Sequence, residues 1–125
     1  MVLPHGIVEG DLRVTNGLIE TIAPQGGIQP EIGELVIDGT GLHLLPGAID
    51  PHVHFRDPGH PEKEDLESGS RAAAAGGITS FLDMPNTSPN ATNRAALEAK
   101  IASAANKAVT HHGFFIGATT NNVTD

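Results

Sequence analysis

The sequence predicts an α/β protein with a small β segment at residues 1–45, followed by alternating strands and helices over residues 46–125. The first region contains short apolar runs separated by turn signals, a pattern that is typical of antiparallel hairpins. From Pro46 onward, strand-like and helix-like runs alternate in the order β-α-β-α-β. This order indicates parallel strands joined by right-handed crossovers, as in an α/β sheet or barrel.

The β segment contains two regions that predict strands. The run DLRVTNGLIETI (residues 11–22) consists of two apolar-containing stretches separated by Asn16-Gly17, a strong signal for a hairpin. The run ELVIDGTGLHLL (residues 34–45) predicts another strand, a glycine-rich turn and the start of a further strand. Residues 1–45 are therefore expected to form a small antiparallel unit.

The second region predicts three strands and two helices. GAIDPHVHF, ITSFLDM and GFFIGAT are strand-like. EKEDLESGSRAAAA has acids early and Gly76-Gly77 after its end, as helices prefer. Thr92 or Asn93 can cap the second helix. Its apolar positions recur at helical spacing and predict the buried face: Leu97, Ile101, Ala104, Ala105 and Ala108.

Composition and charge exclude several kinds of function. The net charge of -8 argues against general binding of nucleic acid or anionic membranes. No cysteine is present, so a metal site must use histidine and carboxylate. The first residues carry no export signal and no stretch predicts a membrane span, so a cytoplasmic protein is expected.

A polar cluster, DPHVHFRDPG (residues 50–59), ends the first strand of the α/β region. Residues two apart on a strand share a face, which predicts Asp50, His52, His54 and Arg56 side by side. Two imidazoles are suitable ligands for Zn²⁺ or a related ion, although two further ligands must come from elsewhere. The carboxyl end of such a strand is where α/β folds place active sites.

Two further residues have alternative interpretations. Arg56 can form a salt bridge with Asp57, Glu62 or Glu64, or it can bind a substrate carboxylate through its bidentate guanidinium. Asn86 follows the second strand in MPNTSPN and is either a turn residue or a ligand contact. Spacing alone leaves both pairs of alternatives open.

Three stretches resemble the amino-terminal part of the dihydroorotases, in the cyclic-amide branch of the amidohydrolase superfamily. They are PGAIDPHVHFRDPG, KEDLESGSRAAAAGGITSFLDMPNTSP and GFFIGAT. Hydantoinases, dihydropyrimidinases and allantoinases share a similar His-x-His and AAAAGG. Arg56 and the MPNT stretch with Asn86 favour a dihydroorotase.

The resemblance implies a fold and a chemistry. Residues 46–125 would be the first two and a half units of a TIM-like (β/α)8 metal-dependent hydrolase barrel, and residues 1–45 would be half of a composite β-sandwich domain. Family enzymes use one or two zinc ions to interconvert N-carbamoyl-L-aspartate and L-dihydroorotate in de novo pyrimidine biosynthesis. By resemblance, His52 and His54 bind zinc, while Arg56 and Asn86 hold the substrate carboxylate.

The resemblance also places the remaining machinery outside this sequence. No catalytic residue is expected within the chain, because the family's catalytic aspartate, acidic or carbamylated-lysine metal ligand and later histidines would follow Asp125. An eight-stranded barrel needs about 250 residues, so the chain is expected to be the front of a larger protein and inactive alone. Five other polar residues are expected to be structural or in loops: Asp57, His60, Asp83, His111 and His112.

The expected ligand is a small molecule, and a homo-oligomeric intact protein is left open. A hydantoinase, dihydropyrimidinase or allantoinase-like enzyme is one alternative. A non-catalytic, truncated partner subunit is another.

Overall fold

The computed structural model describes residues 1–123. The chain forms two compact units, Met1–Pro46 and a second unit that begins at Gly47. Residues 124 and 125, which end the predicted second domain, lie outside the described residues. The catalytic residues expected after Asp125 also lie outside them. Neither of the two helices within residues 1–123 has the length and apolar character that a membrane crossing requires.

The first unit consists of two antiparallel hairpins. Strands β1 (Val2–Leu3) and β2 (Gly6–Ile7) form one pair, and β3 (Asp11–Thr15) and β4 (Leu18–Ala23) form the other. Asn16 has φ 52° and Gly17 has φ 77°, as a two-residue hairpin turn requires. The hairpin predicted around Asn16-Gly17 is therefore confirmed.

The strands predicted within residues 34–45 are absent. This segment contains turns but no strand, and Leu35 and Ile37 are 88% and 79% exposed. Each sheet described among residues 1–46 contains two strands that pair with one another. A strand needs a neighbour paired along its length to satisfy its backbone hydrogen bonds. Within this unit, residues 34–45 make one backbone hydrogen bond to a strand, from Val2 N to Leu44 O at 2.9 Å, and form no continuous ladder.

The second unit contains a three-stranded parallel sheet and two helices in the predicted order. Its elements are β5 (Ala48–Val53), α1 (Leu66–Ala75), β6 (Ile78–Asp83), α2 (Arg94–Lys107) and β7 (His111–Phe114). The strand order is β5-β6-β7, and both pairings are parallel. Val53 pairs with Asp83, which pairs with Phe114, so the carboxyl ends of all three strands meet at one edge of the sheet.

Local capping residues define the helix ends. The Asp65 carboxylate accepts hydrogen bonds from the backbone N–H groups of Glu67 and Ser68, so α1 begins at Leu66 and not at Glu62. These hydrogen bonds, with Ser68 contributing most, hold the pKa of Asp65 below its ordinary value. Gly76-Gly77 ends α1, with Gly77 at φ 83°.

The second helix is capped by Asn93, whose Oδ1 accepts from Ala96 N at 2.9 Å. Asn93 was one of the two predicted caps. The third strand lies earlier than predicted: β7 begins at His111 instead of Gly113 and ends at Phe114. The ring of His112 stacks on Phe81, with centroids 6.0 Å apart, so this histidine is part of the strand and of the layer beside the core.

The core lies between the sheet and the helices, where Leu66, Phe81 and Ala104 are fully buried. The predicted face of α2 is only partly correct. Lys100 is 1% exposed, whereas Ile101 is 46% exposed and Ala105 is also exposed. Helix α2 presents Lys100 to the sheet because its Nζ lies 2.9 Å from the carboxylate of Asp83 at the end of β6.

Candidate metal and substrate site

The polar cluster lies where β5 ends. Val53 and Phe55 pack against the core between the sheet and the helices. His52 and His54 alternate with these two residues along the chain and contact each other instead of the core cluster. The alternation of polar and apolar residues from 52 to 55 thus places Val53 and Phe55 against the core and His52 and His54 at the site.

The two imidazoles face each other. Their Nε2 atoms are 3.2 Å apart and their ring centroids are 5.1 Å apart. Two nitrogen ligands of a tetrahedral zinc, each about 2.0–2.1 Å from the ion, lie about 3.3–3.4 Å from one another. The His52 and His54 nitrogens are therefore already at the separation that a shared divalent ion requires.

The other nitrogen of His54 has its own partner. His54 Nδ1 lies 2.8 Å from Asn86 Oδ1. An amide oxygen only accepts hydrogen bonds, so this contact requires the His54 tautomer with the proton on Nδ1, which leaves a lone pair on Nε2. Metal-binding histidines commonly donate their second N–H in this way, and the donor chemistry of the pair therefore fits a metal.

The described residues supply only part of a coordination shell. Within residues 1–123, no group of three or more His, Asp or Glu side chains is placed to hold a metal ion. Asp50, which the strand pattern places on the same face, accepts a hydrogen bond from His52 N at 3.0 Å and so fixes backbone. A four-coordinate ion would need further ligands from other residues or from water.

Arg56 does not continue the strand. Strand β5 ends at Val53, and Arg56 has φ 60°, in the left-handed region that non-glycine residues rarely adopt. The prediction that Arg56 lies on the same extended strand as the histidines is therefore wrong, because β5 ends before it. His60 N donates to Arg56 O at 2.9 Å and closes this turn.

Arg56 is half-buried, and its guanidinium makes no ion pair or side-chain hydrogen bond within residues 1–123. The salt bridges considered from the sequence do not form. The three carboxylates bind other groups: Asp57 binds Lys107 at 2.7 Å, Glu62 binds His60 at 3.4 Å and Glu64 binds Ser68 at 2.6 Å. The positive charge of Arg56 is thus available to bind an anion.

Asp83 and Lys100 join the strand ends beneath the site. Asp83 Oδ1 accepts from Phe55 N at 3.2 Å, one residue past His54. Lys100 donates to Met84 O at 2.7 Å, two residues before Asn86. The pair therefore holds the backbone of both segments that carry site residues. The sequence predicted a structural role for Asp83 but gave no role to Lys100. The signal that could have indicated Lys100 was its position next to the predicted apolar face of α2.

The loops after β5 and β6 also contact each other directly. Ser88 N donates to Pro58 O at 3.0 Å. Gly59 has φ 112°, and a Cβ on it would collide with Ser88 Cβ, so only glycine fits this contact. The close approach links the loop that begins with Arg56 to the loop that contains Asn86.

The remaining residues that were expected to be structural have contacts or positions of their own. Asp57 is buried and binds Lys107 and the Leu66 backbone N–H. His60 is exposed in the loop, and His111 begins β7, at the end of that strand opposite to the site.

The chain is similar to known proteins over most of its length. The sequence model of the Amidohydrolase family matches residues 43–121. A dihydroorotase of Geobacter metallireducens is 48% identical over 94 residues, which cover 75% of this chain and 22% of the relative. A dihydroorotase of Bacillus pumilus is 50% identical over 82 residues, covering 66% of this chain and 18% of the relative.

An allantoinase of Desulfitobacterium hafniense strain Y51 is also similar, at 39% identity over 124 residues, which cover 98% of this chain and 27% of the relative. The chain thus spans about a fifth to a quarter of the length of these curated relatives. The family match includes β5, β6, β7 and both histidines of the pair, and it covers more than half of the chain. This protein therefore belongs to the amidohydrolase family.

Proposed function

We propose that this chain forms part of a zinc-dependent hydrolase of cyclic amides, and specifically of a dihydroorotase that interconverts N-carbamoyl-L-aspartate and L-dihydroorotate in pyrimidine biosynthesis. The observation that supports the proposal most directly is the facing pair of His52 and His54, with their Nε2 atoms 3.2 Å apart. The dihydroorotases among its relatives, at 48–50% identity, support the choice of substrate.

In this proposal His52 and His54 hold the ion through Nε2. The metal, when bound, supplies Lewis acidity that activates water and a ring carbonyl at neutral pH. The protein's part is to keep both nitrogens unprotonated and fixed in direction, and the Asn86 contact serves that purpose for His54. The further metal ligands and the acidic residue that moves the proton would come from residues outside 1–123.

Arg56 and Asn86 would bind the substrate carboxylate. The Arg56 guanidinium makes no ion pair or side-chain hydrogen bond within the described chain, and the protein carries a net charge of -8. A cation without a protein partner in so acidic a protein is a selective receptor for an anionic ring substituent. The left-handed φ of Arg56 is the kind of backbone strain that is retained at ligand-binding positions.

We further infer that the parallel sheet is the start of a (β/α)8 barrel and that residues 1–45 belong to a composite β domain. The parallel β5-β6-β7 order supports the first inference. The exposed apolar side chains of the first unit, including Leu35 and Ile37, support the second. In a closed barrel the carboxyl ends of the strands form the active-site face, which is where the histidine pair lies.

An allantoinase is the second candidate, because one such relative matches 98% of the chain. The substrates of the two candidate functions differ in charge: dihydroorotate carries a carboxylate on its ring, whereas allantoin and hydantoins do not. The role of Arg56 therefore separates them.

A substrate panel tests the proposal. The protein, expressed from its complete reading frame and loaded with zinc, is assayed on dihydroorotate, allantoin, hydantoin and dihydrouracil. We expect dihydroorotate to be preferred, and Arg56→Met to lower its kcat/KM by about 100-fold or more, since two charge-assisted hydrogen bonds are lost. Arg71→Met is the matched control, because Arg71 is exposed on α1 and pairs with Glu67.

Preference for an uncharged ring, with no effect of Arg56→Met, would overturn the dihydroorotase assignment in favour of the second candidate. Absence of turnover on every ring, despite bound zinc, would instead point to a non-catalytic role.

A further inference from the structure

The contact between Asn86 and His54 joins two parts of the proposed site. Asn86 Oδ1 lies 2.8 Å from His54 Nδ1, and the two residues are 32 positions apart in the chain. His54 follows β5, whereas Asn86 lies in the loop after β6. The contact therefore connects the metal-binding strand with the loop proposed to bind substrate.

The positions of the protons follow from the donors and acceptors. His54 Nε2 must keep its lone pair if it is to bind an ion together with His52. The ring proton is then on Nδ1, which needs an acceptor, and the only group that accepts from it within residues 1–123 is Asn86 Oδ1. The side chain of Asn86 thus selects the metal-binding tautomer of His54.

The same hydrogen bond also orients the Asn86 amide. Because Oδ1 points to His54, Nδ2 is directed elsewhere, and Nδ2 has no partner within residues 1–123. Asn86 is exposed, so its two N–H groups remain free to donate to a ligand. The Asn86 side chain therefore contacts the proposed metal ligand His54 through Oδ1 and keeps a free donor at Nδ2.

The loop around Asn86 is held in place by its neighbours. Thr87 N donates to Pro85 O at 2.9 Å, and Thr87 is buried. Ser88 N donates to Pro58 O, and Lys100 holds Met84 O. An exposed side chain on a backbone fixed on both sides suits a positioning residue.

We infer that Asn86 is a positioning residue for the metal site as well as a ligand of the substrate carboxylate, and that it couples metal binding to substrate binding. This inference rests on the proposed function: its metal arm needs only the proposed ion at His52 and His54, whereas its substrate arm also needs the dihydroorotase assignment. An ion on Nε2 of His54 requires the ring proton to be on Nδ1. That N–H orients the Asn86 amide through Oδ1, and the oriented amide directs its Nδ2 donors toward the substrate carboxylate.

Two variants of Asn86 separate the two arms. Asn86→Ala removes both the acceptor and the donor, so we expect zinc affinity to fall about 10–100-fold and dihydroorotate binding to weaken as well. Asn86→Asp keeps an acceptor for Nδ1–H but adds a charge that repels the substrate. We expect it to retain zinc affinity within about threefold of the wild type while losing dihydroorotate binding. Asn90→Ala, in the same loop and also exposed, is the control.

The measurements are zinc competition titration and long-range ¹H–¹⁵N NMR of the zinc-loaded protein, which shows whether the His54 proton is on Nδ1. Unchanged zinc affinity in Asn86→Ala, or a proton on Nε2, would overturn the inference. Circular dichroism of each variant establishes that it is folded. If zinc affinity falls as expected but the preferred ring carries no carboxylate, the metal arm stands and the dihydroorotase proposal fails.

Discussion

Asp83 and Lys100 form an ion pair that is removed from water. Lys100 Nζ lies 2.9 Å from Asp83 Oδ2, and each side chain is 1% exposed. Oδ2 makes no well-aligned hydrogen bond, so the Lys100 charge alone neutralises it. Lys100 also lies 5.0 Å from the centre of the Phe114 ring, which adds a cation–π contact. The pair therefore fastens α2 to the ends of β6 and β7, next to the site.

Lys100→Met should destabilise the protein by about 3–5 kcal/mol, because it leaves the Asp83 carboxylate buried without its counter-charge. Adding Asp83→Asn should recover part of the loss, since the amide is neutral and still offers Oδ1 to Phe55 N. Urea unfolding of the single and double variants measures both. Lys107→Met is the control. Because the Lys107 side chain is 43% exposed, this variant should lose less stability than Lys100→Met. A double variant less stable than Lys100→Met would contradict the interpretation.

Gly69→Ala should destabilise the protein even though alanine favours helix by about 1 kcal/mol. A Cβ at position 69 would lie 2.6 Å from the Phe55 ring, and that ring is packed edge-on against Phe81 at 4.7 Å. Overpacking of this kind costs about 1–3 kcal/mol, so we expect a net loss of up to about 2 kcal/mol.

Gly76→Ala is the matched control for this helix. Its nearest contact would be 3.4 Å and its φ is -85°, so alanine fits and stability should hardly change. Thermal unfolding compares the two variants, and a stabilising Gly69→Ala would show that Phe55 can move aside.

The cap of α1 should make stability depend on pH. Hydrogen bonds from Ser68 and Glu67 lower the pKa of Asp65 in the folded protein. A carboxylate with a lowered folded-state pKa contributes its stability above the unfolded value, about pH 4, and loses it as the pH falls through the folded value. Wild type should therefore exceed Asp65→Asn in Tm at pH 6, and the difference should shrink below pH 4.

Asn93, the cap of α2, provides the control for this pH dependence. Asn93→Ala removes a cap that cannot ionise, so its effect on Tm should be the same at pH 6 and pH 3. If the Asp65→Asn difference also proved independent of pH, ionisation of Asp65 would not be the cause.

His52→Ala should weaken zinc binding by more than about 100-fold, because a direct ligand contributes more than an outer-shell partner. Competition with a chromogenic chelator measures the affinity. His111→Ala is the control: His111 is exposed at the start of β7 and should not affect the metal. Equal zinc affinity in the two variants would show that the ion binds elsewhere.

The sequence alone determined the features that depend on neighbouring residues. Asn16-Gly17 specifies the β3–β4 turn through backbone conformations that few other pairs adopt. Asn93 and Gly76-Gly77 mark helix ends because caps act within one turn. The alternation of residues at the end of β5 likewise predicted that His52 and His54 would lie side by side, and their Nε2 atoms are 3.2 Å apart.

Only the tertiary structure decided the features that depend on distant partners. Residues 34–45 have strand-like composition but no strand, because a strand requires a neighbour that pairs with it along its length. Lys100 occupies a buried face of α2 because Asp83, far away in sequence, supplies the opposite charge. The left-handed turn at Arg56 and the hydrogen bond from His54 to Asn86 follow from how the two loops pack. Spacing fixes the direction of a side chain within one element, but its partner is fixed only when separate elements fold together.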